Sequence, residues 1–137
     1  MTSLLAKTAG ALFTVSLAAM TLAGCTSVSP DYLEYRSRSD PVSVTRRIAT
    51  NIGRCWFADG ETAFAGHAYV PERNAATSRI LILPKDEPGG LPRLIIDASR
   101  DGRRTSVKLF GPMLDTPLGP RIRSDVNRWA SGTSGCA

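Results

Sequence analysis

The most reactive side chains in this 137-residue chain are three cysteines and one histidine, namely Cys25, Cys55, His67 and Cys136. Redox enzymes typically carry a Cys-x-x-Cys arrangement, with two residues between the cysteines, and these cysteines are not spaced in that way. A structural zinc site needs four ligands, so Cys55, Cys136 and His67 are too few. The sequence contains neither a glycine-rich phosphate-binding motif nor a Gly-x-Ser-x-Gly nucleophile motif. We therefore expect no catalytic residues, no metal and no cofactor, and a hydrolase is the least favoured function.

The first 24 residues have the composition of a secretory signal. A short basic start with Lys7 is followed by an uncharged, largely apolar segment over residues 8–23. That segment is shorter than the roughly 20 apolar residues that a spanning helix needs, and it ends in small residues. We expect residues 1–24 to be an export signal and not part of the fold.

The end of this segment, Leu22-Ala23-Gly24-Cys25, resembles the lipobox of bacterial lipoproteins. The resemblance implies cleavage before Cys25 and lipidation of this residue, which anchors the chain to a membrane. Two or more acyl chains make such attachment stable. Thr26 stands where an Asp would favour inner-membrane retention, so we expect the outer membrane, facing the periplasm, with the inner membrane as the alternative. An ordinary signal peptide or a retained signal anchor would be the other interpretations of this segment.

The two remaining cysteines, Cys55 and Cys136, would lie in an oxidising compartment where disulfides persist. They allow one pairing, which closes a loop of about eighty residues and fixes the C-terminus. Two free thiols are the alternative. The sequence predicts a Cys55–Cys136 disulfide.

The chain is basic, with 17 Lys and Arg against 12 Asp and Glu and a formal charge of +5. Nucleic acid is the usual partner of an arginine-rich surface, but an exported lipoprotein rarely meets it. The anions available there are lipid headgroups and acidic envelope polymers. Solvated surfaces with ordinary ion pairs are the alternative. Three groups of arginines stand out: Arg46, Arg47 and Arg54; Arg100, Arg103 and Arg104; Arg121, Arg123 and Arg128.

Residues 25–40 are rich in Ser, Thr and Arg and predict a lipidated, flexible tether with a reach of roughly 20 Å. Residues 41–137 then form one domain. Asp40-Pro41 is a helix start, and apolar residues recur at helical spacing from there to about Phe57. The residues that we expect on the buried side are Val44, Ile48, Ile52, Cys55 and Trp56, with Asn51 on another face.

Four segments have strand-like patterns: 62–70, 78–83, 92–99 and 103–110. The all-apolar run within 78–83 suggests cover on both faces, at least in part. Asp101-Gly102 predicts a hairpin between the last two strands. A second helix opens at Pro120 and stops near Gly132. We therefore predict an α+β fold of two layers in the order α-β-β-β-β-α: a four-stranded, mainly antiparallel sheet with both helices on one face.

The large aromatic residues Trp56 and Trp129 complete the apolar stripes of the two helices and are expected in the core. The favoured function is a non-catalytic interaction or structural role in the cell envelope, with an envelope protein or an anionic envelope polymer as partner. A module for a lipid or small apolar ligand is the alternative. An exposed flat face with Ala65, His67 and Tyr69 would favour partner binding, whereas a cavity over Ile80, Ile82 and Leu94 would favour ligand binding.

Overall fold

The computed structural model describes residues 32–73 and 78–137. They form an antiparallel sheet of five strands with two helices, in an α+β arrangement. The elements are β1 (Leu33–Ser37), α1 (Pro41–Cys55), β2 (His67–Arg73), β3 (Ser78–Pro84), β4 (Leu94–Asp101), β5 (Arg104–Phe110), a 3₁₀ turn (Pro112–Asp115) and α2 (Gly119–Ser131). The predicted signal segment 1–24, Cys25 and the start of the predicted tether lie outside the described residues.

The strands lie in the order β1-β5-β4-β3-β2, and every neighbouring pair is antiparallel. The last four strands form a meander, and β1 adds to its edge by pairing with β5. The predictions of four strands and of a flexible tether through residue 40 were therefore wrong over β1. Leu33 and Tyr35 pack against the core, and β5 supplies the backbone partners. Because β5 lies more than sixty residues after β1 in the chain, the local composition of residues 33–37 does not reveal this pairing.

Helix α1 begins where the sequence predicts. The side chain of Asp40 accepts a hydrogen bond from the Ser43 amide at 3.0 Å, which caps the first turn. The helix ends at Cys55, two residues before the predicted Phe57. The expected apolar stripe is buried, but Asn51 is buried as well, contrary to expectation. Its side chain donates to the carbonyl of Arg47 and accepts from the Gly135 amide, so that both of its polar ends are satisfied.

Helix α2 lies antiparallel to α1 on the same face of the sheet. Arg47 in the first half of α1 donates to the carbonyls of Trp129 and Ala130 near the end of α2, and Arg121 at the start of α2 donates to the carbonyl of Cys55. Gly132 ends α2 with a φ of 115°, a backbone conformation that glycine adopts without strain. The predicted stop is therefore confirmed.

Each strand alternates between a face covered by the helices and an open face. In β3, Ile80 and Ile82 are completely buried, whereas Leu81 and Leu83 on the other face are half-buried. The helices thus cover this apolar strand on one side only. The predicted β4–β5 hairpin is present with its turn shifted by one residue, because Asp101 still pairs with Arg104. Gly102, with a φ of 58°, occupies the first of the two central turn positions.

The first predicted strand begins late, at His67 instead of Thr62. Residues 62–66 form turns in which the Ala65 and His67 amides donate to the carbonyls of Thr62 and Phe64. These turns place Phe64 in the core, where its ring stacks on that of Trp56 at 4.6 Å.

The core lies between the helices and the sheet and is centred on the two tryptophans. Trp56 and Trp129 are both completely buried, as predicted, with ring centroids 5.3 Å apart. Cys55 and Cys136 lie at disulfide distance beside them, with Cα atoms 5.3 Å apart. The arrangement ties the segment after α2 to the end of α1.

Candidate functional site

The chemically reactive residues of the sequence are dispersed in the structure. Cys25 lies outside the described residues, and Cys55 and Cys136 are joined to each other. His67 opens β2 at the edge of the sheet. Asp86 and Glu87 lie in the loop between β3 and β4, where Glu87 pairs with Arg93. Over residues 32–73 and 78–137, no three His, Cys, Asp or Glu side chains come close enough together to hold a metal ion.

The space beneath the helices is filled by protein side chains. Ile80, Ile82 and Leu94 are completely buried under the helices, so the predicted location for an apolar ligand is occupied. An apolar cleft of about 400 Å³ lies elsewhere, at the end of the sheet where β2 and β4 begin. Its lining includes His67, Arg93, Met113 and Leu118.

The open face of the sheet does not include His67 and Tyr69, which the sequence analysis associated with an exposed face. Tyr69 faces α1, and its ring packs on that of Phe57 at 5.1 Å, so His67 and Tyr69 do not lie on an exposed flat face. Ala68, Val70 and Glu72 lie on the open face instead. Because side chains alternate along a strand, a shift of one residue exchanges the two faces.

A charged row and an apolar row run side by side across the open face. The charged row crosses all five strands. Its members are direct register partners whose charges alternate in sign: Glu72, Arg79, Asp97, Lys108 and Glu34. The apolar row crosses four strands beside it: Val70, Leu81, Ile95 and Phe110. Opposite charges directly across strands stabilise a sheet and leave this row nearly neutral. The charged row therefore offers no strong field to a partner, and the apolar row is the distinctive half of this face.

Several of the arginines noted in the sequence have structural partners. Arg47 binds the last carbonyls of α2, and Arg121 and Arg128 bind the buried carboxylate of Asp125. Arg121 also donates to Glu61 at 2.9 Å, and this hydrogen bond holds the pKa of the Glu61 carboxyl below its usual range. These side chains stabilise the packing of the two helices.

A second set of arginines gathers at the β4–β5 turn. Arg100, Arg103 and Arg104 are exposed on this turn. Arg38 joins them because it follows the Ser37–Thr105 pair, and Thr105 donates to the carbonyl of Ser39 at 2.7 Å. We call Arg38, Arg100, Arg103 and Arg104 the distal cluster. Among the residues that the structure describes, none of these four guanidinium groups has a carboxylate within 4.0 Å.

The distal cluster lies at the end of the sheet where β1 stops. The opposite end, where β1 begins, we call the proximal end. It carries the β3–β4 loop and the segment that follows β5. A strand of about six residues separates the two ends by roughly 20 Å. Sequence inspection identified three arginines of the distal cluster but not Arg38, whose position depends on the pairing of β1 with β5.

No protein-family model matches the chain, and no curated protein or solved structure is significantly similar to it. Within the described residues, neither α1 nor α2 is long and apolar enough to cross a bilayer.

Proposed function

We propose that this chain is a lipid-anchored protein of the bacterial cell envelope, held by an acylated Cys25 in the outer membrane, and that it has a non-catalytic role in binding an anionic envelope polymer. The anchor rests on the lipobox-like segment at Leu22–Cys25. The Cys55–Cys136 pair at disulfide distance supports an oxidising compartment.

The distal cluster is the observation that carries the polymer-binding part of this proposal. Four exposed guanidinium groups lie at one end of the domain without a carboxylate partner among the described residues. Guanidinium binds carboxylate and phosphate groups in a bidentate manner, and a polymer that repeats such groups can engage several arginines at once. The arginines engaged by Asp125, Glu61 and the end of α2 are not available in this way.

The anchor is tested by treating cells with globomycin, which blocks lipoprotein signal cleavage. We expect the precursor to accumulate, and we expect the Cys25→Ser variant to be mislocalised or released. Normal cleavage in the presence of globomycin would contradict the lipoprotein assignment.

Polymer binding is tested with a linear polycarboxylate, polygalacturonate, in sedimentation assays with the full lipidated protein in detergent. The triple variant Arg100→Gln, Arg103→Gln, Arg104→Gln is compared with a control of equal net charge, Arg46→Gln, Arg54→Gln, Arg123→Gln. The control residues likewise have no ion pair among the described residues. We expect the distal variant to lose at least tenfold in affinity and the control to lose less than threefold. Equal losses would show that only net charge matters and would overturn the role of the cluster.

A small apolar ligand or lipid is a second candidate, because the cleft beside Met113 and Leu118 is apolar and open to solvent. Native mass spectrometry of the protein extracted from membranes would report a second lipid as an added mass beyond that of the anchor. The absence of such an adduct would count against this candidate.

A further inference from the structure

Two of the exposed large apolar side chains among the described residues lie at the proximal end of the domain, and a third lies at the far end of the apolar row, in the middle of β2. Leu91, in the β3–β4 loop, is 84% exposed, and Val70 and Phe110 of the apolar row are 40% and 36% exposed. Over residues 32–73 and 78–137, the other large apolar side chain with comparable exposure is Val42, which lies at the start of α1 near the distal end. Contiguous exposed apolar groups mark a contact surface, and Phe110 is continuous with the apolar row through its pairing with Ile95.

The chain enters the domain at the same end. Leu33 pairs with Leu109, so Tyr32 and Leu33 lie beside Phe110, and all three line one cleft of about 550 Å³. Cys25 lies seven residues before Tyr32. Seven residues span at most about 25 Å. A lipid on Cys25 would therefore hold the entry point of the chain, at the proximal end, within about 25 Å of the bilayer.

We propose that the proximal end docks on the bilayer that holds Cys25, with Leu91, Phe110 and the neighbouring apolar row in contact with lipid. This inference rests on the proposed lipid anchor and adds the orientation of the domain. The anchor keeps the surface at a high local concentration near the membrane, so a few apolar side chains suffice for docking.

The charges at the proximal end indicate which part of the lipid is recognised. The β3–β4 loop and the cleft beside Phe110 carry three cations, Lys85, Arg93 and Arg123, and three anions, Asp86, Glu87 and Asp115. The neighbouring ends of the helices add two of each sign: Arg54, Arg121, Asp59 and Glu61. A balanced surface gains little from anionic headgroups. The contact is therefore apolar and insensitive to salt, and it leaves the distal cluster facing the aqueous compartment, where a polymer can reach it.

The test uses the lipidated full chain in vesicles of phosphatidylethanolamine and phosphatidylglycerol that contain brominated acyl chains, which quench nearby indoles. Leu91→Trp places a reporter at the proximal end, and Val42→Trp is the matched control, since Val42 is 44% exposed at the other end. Both positions are on the surface, so the fold is retained. The native Trp56 and Trp129 are completely buried and provide the same background in every variant.

We expect brominated lipid to quench at least half of the added Leu91→Trp emission, with no change in 0.5 M salt, and to leave the added Val42→Trp emission unquenched. Equal quenching of the two reporters, or quenching of neither in protein that floats with the vesicles, would overturn docking while leaving the anchor intact. A blue-shifted Leu91→Trp emission without quenching, together with a dimer in cross-linking, would show that a second copy covers this surface and would also overturn the proposal. Protein that does not float and lacks the acyl mass would instead refute the anchor itself.

Discussion

The indole N–H of Trp56 donates a 2.8 Å hydrogen bond to the carboxylate of Asp125, and both residues are buried. The same carboxylate accepts from Arg128 at 2.7 Å and lies 3.7 Å from Arg121. One acidic side chain therefore connects the end of α1 to the middle of α2. A buried charge is stable only when it is paired and hydrogen-bonded, and Asp125 meets both conditions.

Replacing Asp125 tests this connection. Asp125→Asn keeps the size of the side chain but removes the charge that faces two arginines. We expect a loss of about 2–3 kcal/mol in the free energy of unfolding, since both arginines are partly exposed and can recover water. Urea denaturation measures this loss, and Asp59→Asn, at an exposed position, is the control, with an expected change below about 0.5 kcal/mol. Equal stability of the two variants would contradict a structural role for Asp125.

Removing the buried side chain of Trp129 should lower the free energy of unfolding. Trp129→Ala opens a cavity between the helices and the sheet and deletes a hydrogen bond from the indole to the carbonyl of Gly135. We expect a loss of about 3–5 kcal/mol, enough to threaten a small domain. Thermal melts of the chain from residue 26 onward measure it, with Val42→Ala as the exposed control. An unchanged melting temperature for Trp129→Ala would place this residue outside the core.

The bond between Cys55 and Cys136 should contribute to stability through the unfolded state. It closes a loop with a sequence separation of 81 residues, for which chain entropy predicts roughly 4 kcal/mol. We expect the Cys55→Ser, Cys136→Ser variant to lose a few kcal/mol and Cys25→Ser to leave domain unfolding unchanged. Peptide mapping without reduction checks the pairing directly. Recovery of both sulfurs as free thiols from freshly isolated protein would show that no disulfide forms.

Strand β1 can be distinguished from a flexible tether by two neighbouring substitutions. Tyr35 packs against the core, and burial raises the pKa of its phenol. Arg36 points to the open face. We expect Tyr35→Ser to cost about 1–2 kcal/mol through lost apolar burial and Arg36→Ser to cost much less. Chemical denaturation compares them, and a disordered segment would give no effect in either variant.

The cap at Asp40 predicts a small pH dependence. Hydrogen bonds from Ser43 hold the pKa of the Asp40 carboxyl below its ordinary value of 3.8. The cap therefore contributes its full stability above that ordinary value, and the contribution is lost as the pH falls through the lower folded-state pKa. We expect Asp40→Ala to lower the melting temperature at pH 7 but to match the unsubstituted chain in strong acid. Asp40→Asn keeps a capping oxygen but has no titrating carboxyl. Its melting temperature at pH 7 should therefore stay close to that of the unsubstituted chain, and its cap should not weaken as the pH falls.

Local signals in the sequence were sufficient for the helices and for one hairpin. Asp40-Pro41 and Gly132 contact backbone groups only a few residues away in the chain. The start of α1 and the end of α2 were therefore predictable from these residue types. The apolar stripes that end at Trp56 and Trp129 likewise correctly identified the sides that face the core. The arginine groups were visible as composition, but which of them would be engaged by Asp125, by Glu61 or by helix carbonyls was not.

By itself, the sequence determined the α+β class, the antiparallel strands, the buried tryptophans and the pairing partners of the disulfide, because each depends on short-range periodicity or on there being one choice. Only the tertiary structure decided that Leu33–Ser37 is a fifth strand, that Asn51 is buried and that Arg38 joins the arginines of the β4–β5 turn. These three results depend on contacts between segments distant in the chain, where backbone partners and polar groups become available only after the sheet and the helices have packed together.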